Sequence, residues 1–179
     1  MSILKVARMG HPVLRRRARP LASAEIHEPN IQRLIDDMFE TMHEYQGIGL
    51  AAPQVHECLR LFVIGVDETE ANISPVVMIN PEIFPVGKQI EEDWEGCLSI
   101  PDIRGRVPRS TNVRVQAIDR YGQELSMNAS GFPARIIQHE NDHLDGVLFL
   151  DRMKSFDSLT LLSEYTQHWE NNNELASEV

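Results

Sequence analysis

Residues 138–144 read Gln138-His139-Glu140-Asn141-Asp142-His143-Leu144. The run 134–144 around them has the pattern of a helix stopped by Asp145-Gly146. On a helix the two histidines, four apart, share one face a turn apart, where one cation bridges both imidazoles. Glu140, next to the first histidine, projects near such an ion without having to bind it. There it can take a proton from a water that the ion activates. Asp142 reads as a surface residue or a support for the site, and Asp145 is a candidate for orienting a ligand histidine. Two histidines and a glutamate also fall together on helices by chance, so the motif alone is not decisive.

A catalytic ion of this kind needs a third protein ligand and an open fourth position. Downstream of His143, neither Asp145, Asp151 nor His168 has a compelling context. Upstream, Glu95-Gly96-Cys97-Leu98-Ser99 offers Cys97, and a thiolate is a strong ligand for borderline divalent ions. Gly96 is expected to leave room for close backbone approach there. The second cysteine, Cys58, reads as a small buried hydrophobe. Two cysteines in 179 residues are too few for a disulfide framework and point to a reducing compartment.

The length fits one domain spanning 1–179, with a frayed tail from about residue 171. A net charge of −10 argues against nucleic-acid or anionic-membrane binding through the whole surface. No apolar run approaches a membrane span. The arginine-rich start suggests a mitochondrial presequence, but Gly10, Pro12 and Pro20 break any amphipathic helix. It is expected to be a solvated arm, and the chain is expected in the cytoplasm.

Working outward from the motif, residues 30–46 carry Ile31, Leu34, Ile35, Met38, Phe39 and Met42 at helical spacing. Asn30 is the expected N-cap and Gly47 the stop. Residues 47–55 read as loop and then extended chain, because Pro53 disfavours helix. Residues 59–66 and 76–79 read as strands, with a turn at Asn80-Pro81. Residues 113–118 and 125–128 read as a hairpin around Asp119-Arg120-Tyr121-Gly122. A last helix is expected over 157–170, with Leu159, Leu162, Tyr165 and Trp169 on one side. Strands in the middle and helices at the ends predict an α+β fold.

Three stretches together resemble the peptide deformylases: Gly47-Ile48-Gly49-Leu50-Ala51-Ala52-Pro53-Gln54, Glu95-Gly96-Cys97-Leu98-Ser99, and Gln138 to Leu144. They stand in the family's order, and the resemblance runs from the N-terminus to about Arg152. It implies small, mostly antiparallel sheets packed around a central helix bearing the two histidines. It implies hydrolysis of the N-formyl group from the initiator methionine of nascent peptides, releasing formate. It implies one divalent ion held by Cys97, His139 and His143, natively Fe(II), with Zn, Ni or Co able to substitute. Glu140 is then the general base and acid. The Gln54 side-chain amide and the Leu98 backbone N–H meet the charge that grows on the formyl oxygen.

Residues expected to touch substrate are Gly47, Ile48, Gly49, Glu95, Arg104, Phe132 and Arg135. The glycines at 47 and 49 are expected to let a substrate main chain approach. Leu50, Trp94 and Phe132 are candidate walls for a methionine pocket. Arg104, Arg106 and Arg109 read either as solvated loop charges or as a cluster from which one arginine steers the peptide. Two other functions share the helix motif. One is a zinc endopeptidase. The other is a binding module with a closed structural site that adds Cys58 as a fourth ligand. From residue 155 onward the chain has no lysine or arginine and five acids, so the tail is not expected to dock on ribosomal RNA by charge.

Overall fold

The computed structural model describes residues 2–65 and 74–170. An irregular N-terminal segment containing a 3-10 turn, Pro12–Arg15, leads into α1 (Ser23–Ile26) and α2 (Pro29–Glu44). Strand β1 (Gly49–Ala51), a second 3-10 turn (Ala52–Val55), β2 (Leu61–Ile64) and β3 (Val76–Pro85) follow. Two hairpins come next, β4 (Ile90–Cys97) with β5 (Ile100–Ser110), and β6 (Asn112–Ile118) with β7 (Glu124–Ser130). Helices α3 (Phe132–Leu144) and α4 (Phe149–Arg152), strand β8 (Thr160–Leu161) and helix α5 (Leu162–His168) complete the described chain. The strands form two antiparallel sheets, one of five in the order β1-β2-β3-β6-β7 and one of three in the order β4-β5-β8. Helix α3 packs against strands of both sheets, so the fold is α+β around one central helix.

The apolar stripe of α2 is buried where the sequence places it. Ile31, Ile35, Met38 and Met42 pack with Leu50, Leu61 and Val63 in one cluster. The ends differ by a residue or two from expectation. Pro29 occupies the first turn, where its missing N–H costs nothing, so Glu28 rather than Asn30 is the N-cap. At the other end Gln46 takes the left-handed conformation (φ 54°), and the Gly47 N–H closes on the Met42 carbonyl at 2.8 Å. Helix α3 does stop at Gly146, whose φ of 73° ends the helix as Val147 N–H bonds the Asp142 carbonyl at 2.9 Å. The hairpin β6–β7 has the expected turn, with Asp119 Oδ1 accepting from Tyr121 and Gln123 N–H, each at 2.8 Å.

Other expectations are corrected. The Asn80-Pro81 pair is a bulge within β3, not a turn: register shifts between Ile79 and Glu82, and Asn80 has φ 50°. The bulge accommodates Pro81, which has no N–H for the ladder, while the Asn80 amide exchanges two bonds with the Leu21 backbone at 2.9 and 2.8 Å. Pro53 sits in the first turn of the 3-10 segment, so Ala52–Val55 is helical rather than extended. The expected helix over 157–170 is reduced to α5, because residues 160 and 161 pair with β5 instead. Hairpin β4–β5 falls in a stretch not read as strand.

The N-terminal arm is not solvated. Val6, Ala7, Val13, Leu14, Ala18 and Leu21 are buried, and Ala7, Met9 and Ala18 N–H groups bond the carbonyls of Gln54, Ser99 and Leu144 at 2.7–2.8 Å. The expected strand end at residue 66 and the tail from 171 lie outside the described residues. Phe149 anchors the cluster that joins this arm to Cys97 and Val107. Truncating a fully buried aromatic typically costs about 3–5 kcal/mol, so Phe149→Ala should lower unfolding stability by that amount in urea titration.

Candidate metal and catalytic site

Three elements converge at the site. Helix α3 presents His139 and His143. The end of β4 presents Cys97, and the 3-10 segment after β1 presents Gln54. One ligand atom from each of Cys97, His139 and His143 lies within 4.8 Å of the others, and all three residues are buried. The Cys97 Sγ is 3.3 Å from His143 Nε2. Sulfur and nitrogen ligands arranged tetrahedrally around one divalent ion stand roughly 3.5 Å apart, so the donor set fits a single cation. With three protein donors rather than four, it leaves a position for a reactant. Cys58 is outside this group. Its thiol lies 3.6 Å from the Arg17 carbonyl, which corrects the closed four-ligand alternative.

The ring of His139 is held from behind. Its Nδ1 is 2.8 Å from Glu95 Oε2, an arrangement that turns Nε2 toward Cys97. Glu95 in turn accepts from Arg109 Nε and Nη2 at 2.9 and 3.1 Å and from Arg135 Nη1 at 2.9 Å. Arg109 Nη1 also reaches Asp142 Oδ2 at 2.6 Å, and Arg152 Nη2 reaches Asp142 Oδ1 at 2.7 Å. Burial opposes ionisation of Glu95, but His139 and Arg109 outweigh it and hold the carboxylate near a pKa of about 2. Burial likewise opposes the Cys97 thiolate, and the two imidazoles prevail, drawing its pKa well below the usual thiol range.

Glu140 has the opposite character. It is 4 % exposed, its Oε2 has no hydrogen-bond partner within the protein, and burial pushes its pKa up to about 7. The space it needs comes from Gly49: a Cβ there would lie 2.5 Å from Glu140 Oε1. Gln54 is 1 % exposed, with Oε1 accepting from Ala51 N–H at 2.8 Å. That bond aims Nε2 at Cys97 Sγ (3.5 Å) and Ser99 Oγ (3.3 Å). The carbonyl of Leu98 accepts from the Arg8 guanidinium, which also lies over the Tyr45 ring.

A cavity of about 300 Å³ opens beside these groups, between β1 and β4, each an edge strand of its sheet. Gly47, Ile48, Gly49, Trp94, Arg104 and Phe132 line it, and Ile48 and Phe132 are exposed at its rim. Several expected contacts are replaced by internal ones. Glu95 and Arg135 border the cavity, but both Glu95 oxygens are taken, and Arg135 also donates to the Val107 and Glu91 carbonyls at 2.7 and 2.9 Å. The room beside Gly49 is filled by Glu140, and that beside Gly96 by the Arg104 guanidinium. Leu50 is buried in the α2 core, not on the cavity wall. Asp145 pairs with Arg60 at 2.7 Å and does not orient a histidine; Glu95 does that. Arg109 is neither solvated nor substrate-facing. Tyr165, unremarked beyond its helical spacing, also lines the cavity.

The polypeptide deformylase family matches residues 3–158 of the chain. This chain belongs to that family. Peptide deformylase 2 of Nostoc sp. is 43 % identical over 158 residues, 86 % of this chain and 87 % of the relative. The peptide deformylase of Carboxydothermus hydrogenoformans is 41 % identical and spans 85 % and 94 % of the two chains. Among solved structures, a Met-ala-ser-bound class I type b peptide deformylase of Acinetobacter baumannii superposes with a TM-score of 0.81 at 38 % identity, covering 86 % of this chain and 100 % of the other. The Thermotoga maritima peptide deformylase gives 0.79 at 39 %, covering 87 % and 100 %. The deformylase is therefore a metallohydrolase that removes the N-formyl group from newly made polypeptides, and the endopeptidase reading of the motif is set aside. No helix among its described residues is long and apolar enough to cross a membrane.

Two variants test this geometry. Gly49→Ala should displace the Glu140 carboxylate and lower turnover by more than about tenfold while thermal stability changes little, measured by formate release and calorimetry. Arg109→Ala removes one counter-charge from each of two buried carboxylates, Glu95 and Asp142, a loss of up to about 3–5 kcal/mol, measurable as a lower urea midpoint.

Proposed function

We propose that the chain acts as a single catalytic domain in which Cys97, His139 and His143 hold one divalent cation, Fe(II) in the native enzyme, with Zn, Ni or Co able to replace it. A thiolate with two imidazoles suits these borderline ions. Bound there, the cation lowers the pKa of a water toward neutrality and polarises a carbonyl. The convergence of one sulfur and two ring nitrogens beside a carboxylate of raised pKa carries this reading.

The formyl-methionine N-terminus of a nascent peptide enters between β1 and β4, whose free edges offer main-chain hydrogen bonds. Glu140 accepts the proton of the attacking water as its oxygen adds to the formyl carbon. Negative charge then grows on the former carbonyl oxygen, and the Gln54 Nε2 and Leu98 N–H groups donate to it. As the C–N bond breaks, Glu140 passes its proton to the departing amine, leaving formate and a free N-terminus. A carboxylate poised near neutrality suits both transfers. Gly47, Ile48 and Phe132 shape the space for the methionine side chain, and Arg104 meets the peptide further along. The enzyme works in the cytoplasm, and its acidic C-terminal part plays no role in binding ribosomal RNA.

Protein purified anaerobically should release formate from formyl-Met-Ala-Ser and carry one metal ion per chain. Glu140→Ala should keep the ion and lose at least about a thousandfold in kcat, whereas His139→Ala should lose ion and activity together. Metal content by emission spectrometry separates the two. Metal retained by His139→Ala would refute the ligand assignment.

A further inference from the structure

The family match ends at residue 158, yet the chain beyond it returns to the cavity. Strand β8 adds to the edge of β5, pairing Ile103 with Leu161 and Arg104 with Thr160. Just before it, the Ser158 hydroxyl accepts from Arg106 N–H at 3.0 Å. This docking brings α5 to the cavity mouth. Tyr165 meets Trp94 edge-on, with ring centres 5.0 Å apart at 64°, and Trp169 lies 5.7 Å from the same indole. Helix α5 buries none of its residues fully, so the segment adds little to the core. What it adds is an aromatic wall on the cavity.

The wall stands at a definite distance from the chemistry. Trp94 precedes Cys97 by three residues on β4, roughly 10 Å at about 3.3 Å per residue. An extended peptide advances at the same rate. With its formyl group at Cys97, its second and third residues therefore reach the Trp94–Tyr165 pair.

We propose that Tyr165, together with Trp94, is a specificity-determining clamp for the substrate residues that follow formyl-methionine, with a preference for an aromatic or large apolar second residue. The proposal rests on the deformylase reading. Rings in offset or edge contact gain enough beyond area burial to change affinity by about five- to tenfold.

The test is steady-state kinetics of the metal-loaded full chain on formyl-Met-Phe-Ser, formyl-Met-Gly-Ser and formyl-Met amide, with calorimetric binding of the product Met-Phe-Ser. Wild type should favour the Phe substrate over the Gly substrate by about fivefold in kcat/KM. Tyr165→Ala should erase that preference through KM rather than kcat. It should also lower the ratio of tripeptide to amide kcat/KM by about tenfold and weaken product binding by a similar factor. Tyr165→Phe should keep the Phe preference, because the ring remains. Trp169→Ala, which removes only the backing of Trp94, should reduce the preference about twofold without touching the cavity lining. Equal losses on amide and tripeptides, or an unaltered Phe-to-Gly ratio in Tyr165→Ala, would overturn the clamp. A wild-type enzyme that releases no formate from any of the three substrates would instead overturn the deformylase reading beneath it.

Discussion

The buried carboxylate of Glu95 holds the site together. It stands on β4, two residues before Cys97, and accepts from an imidazole on α3, a guanidinium on β5 and a second guanidinium on α3. A carboxylate buried this deeply is costly unless every lone pair is met. Here each cation that meets it ties another element to the strand carrying the sulfur. The angle of the His139 ring relative to Cys97 is thereby set by charge pairing rather than by helix packing alone. Phe149, stacked 6.3 Å from the same ring at 24°, closes the remaining side.

Glu95 and Glu140 are both buried carboxyl groups within reach of His139, yet they are held at opposite ends of the carboxylate range. Two arginines and a hydrogen-bonded imidazole keep the first ionised. The second lies buried against a glycine, with one oxygen unpartnered, and its affinity for a proton rises. Environments that push two like groups apart are how one protein obtains a fixed charge and a mobile proton from the same side-chain chemistry.

Much of this was legible in the sequence, and the failures have physical causes. The stripe of α2, the histidine helix and the β6–β7 hairpin announce themselves by periodicity. The three metal-ligating candidates could be nominated because thiolate and imidazole spacing carries chemistry, and the fold brings them together. The β4–β5 hairpin was hidden. Ile90-Glu91-Glu92-Asp93 is acidic and mostly exposed, and Pro101 and Pro108 read as breakers. The alternation that does exist, Gly105, Val107 and Arg109 facing inward, includes a charged residue that becomes intelligible only beside Glu95 and Asp142. For the same reason Glu95 and Arg135 were expected at the substrate, since a buried partner tens of residues away leaves no local trace. Tyr165 was assigned to a helix face, and nothing nearby in the chain indicates which surface that face meets.

The burial of the N-terminal arm has a consequence for how the molecule comes into being. Residues 7, 9 and 18 bond to residues 54, 99 and 144, so the segment synthesised first completes its contacts last. Until the histidine helix is made, the arm can reach only its partners at residues 54 and 99, and its contact with Leu144 waits. Such long-range closure slows folding. Competence is therefore a late event in the life of each copy, reached only when translation has passed the second histidine and the arm has closed on Leu144.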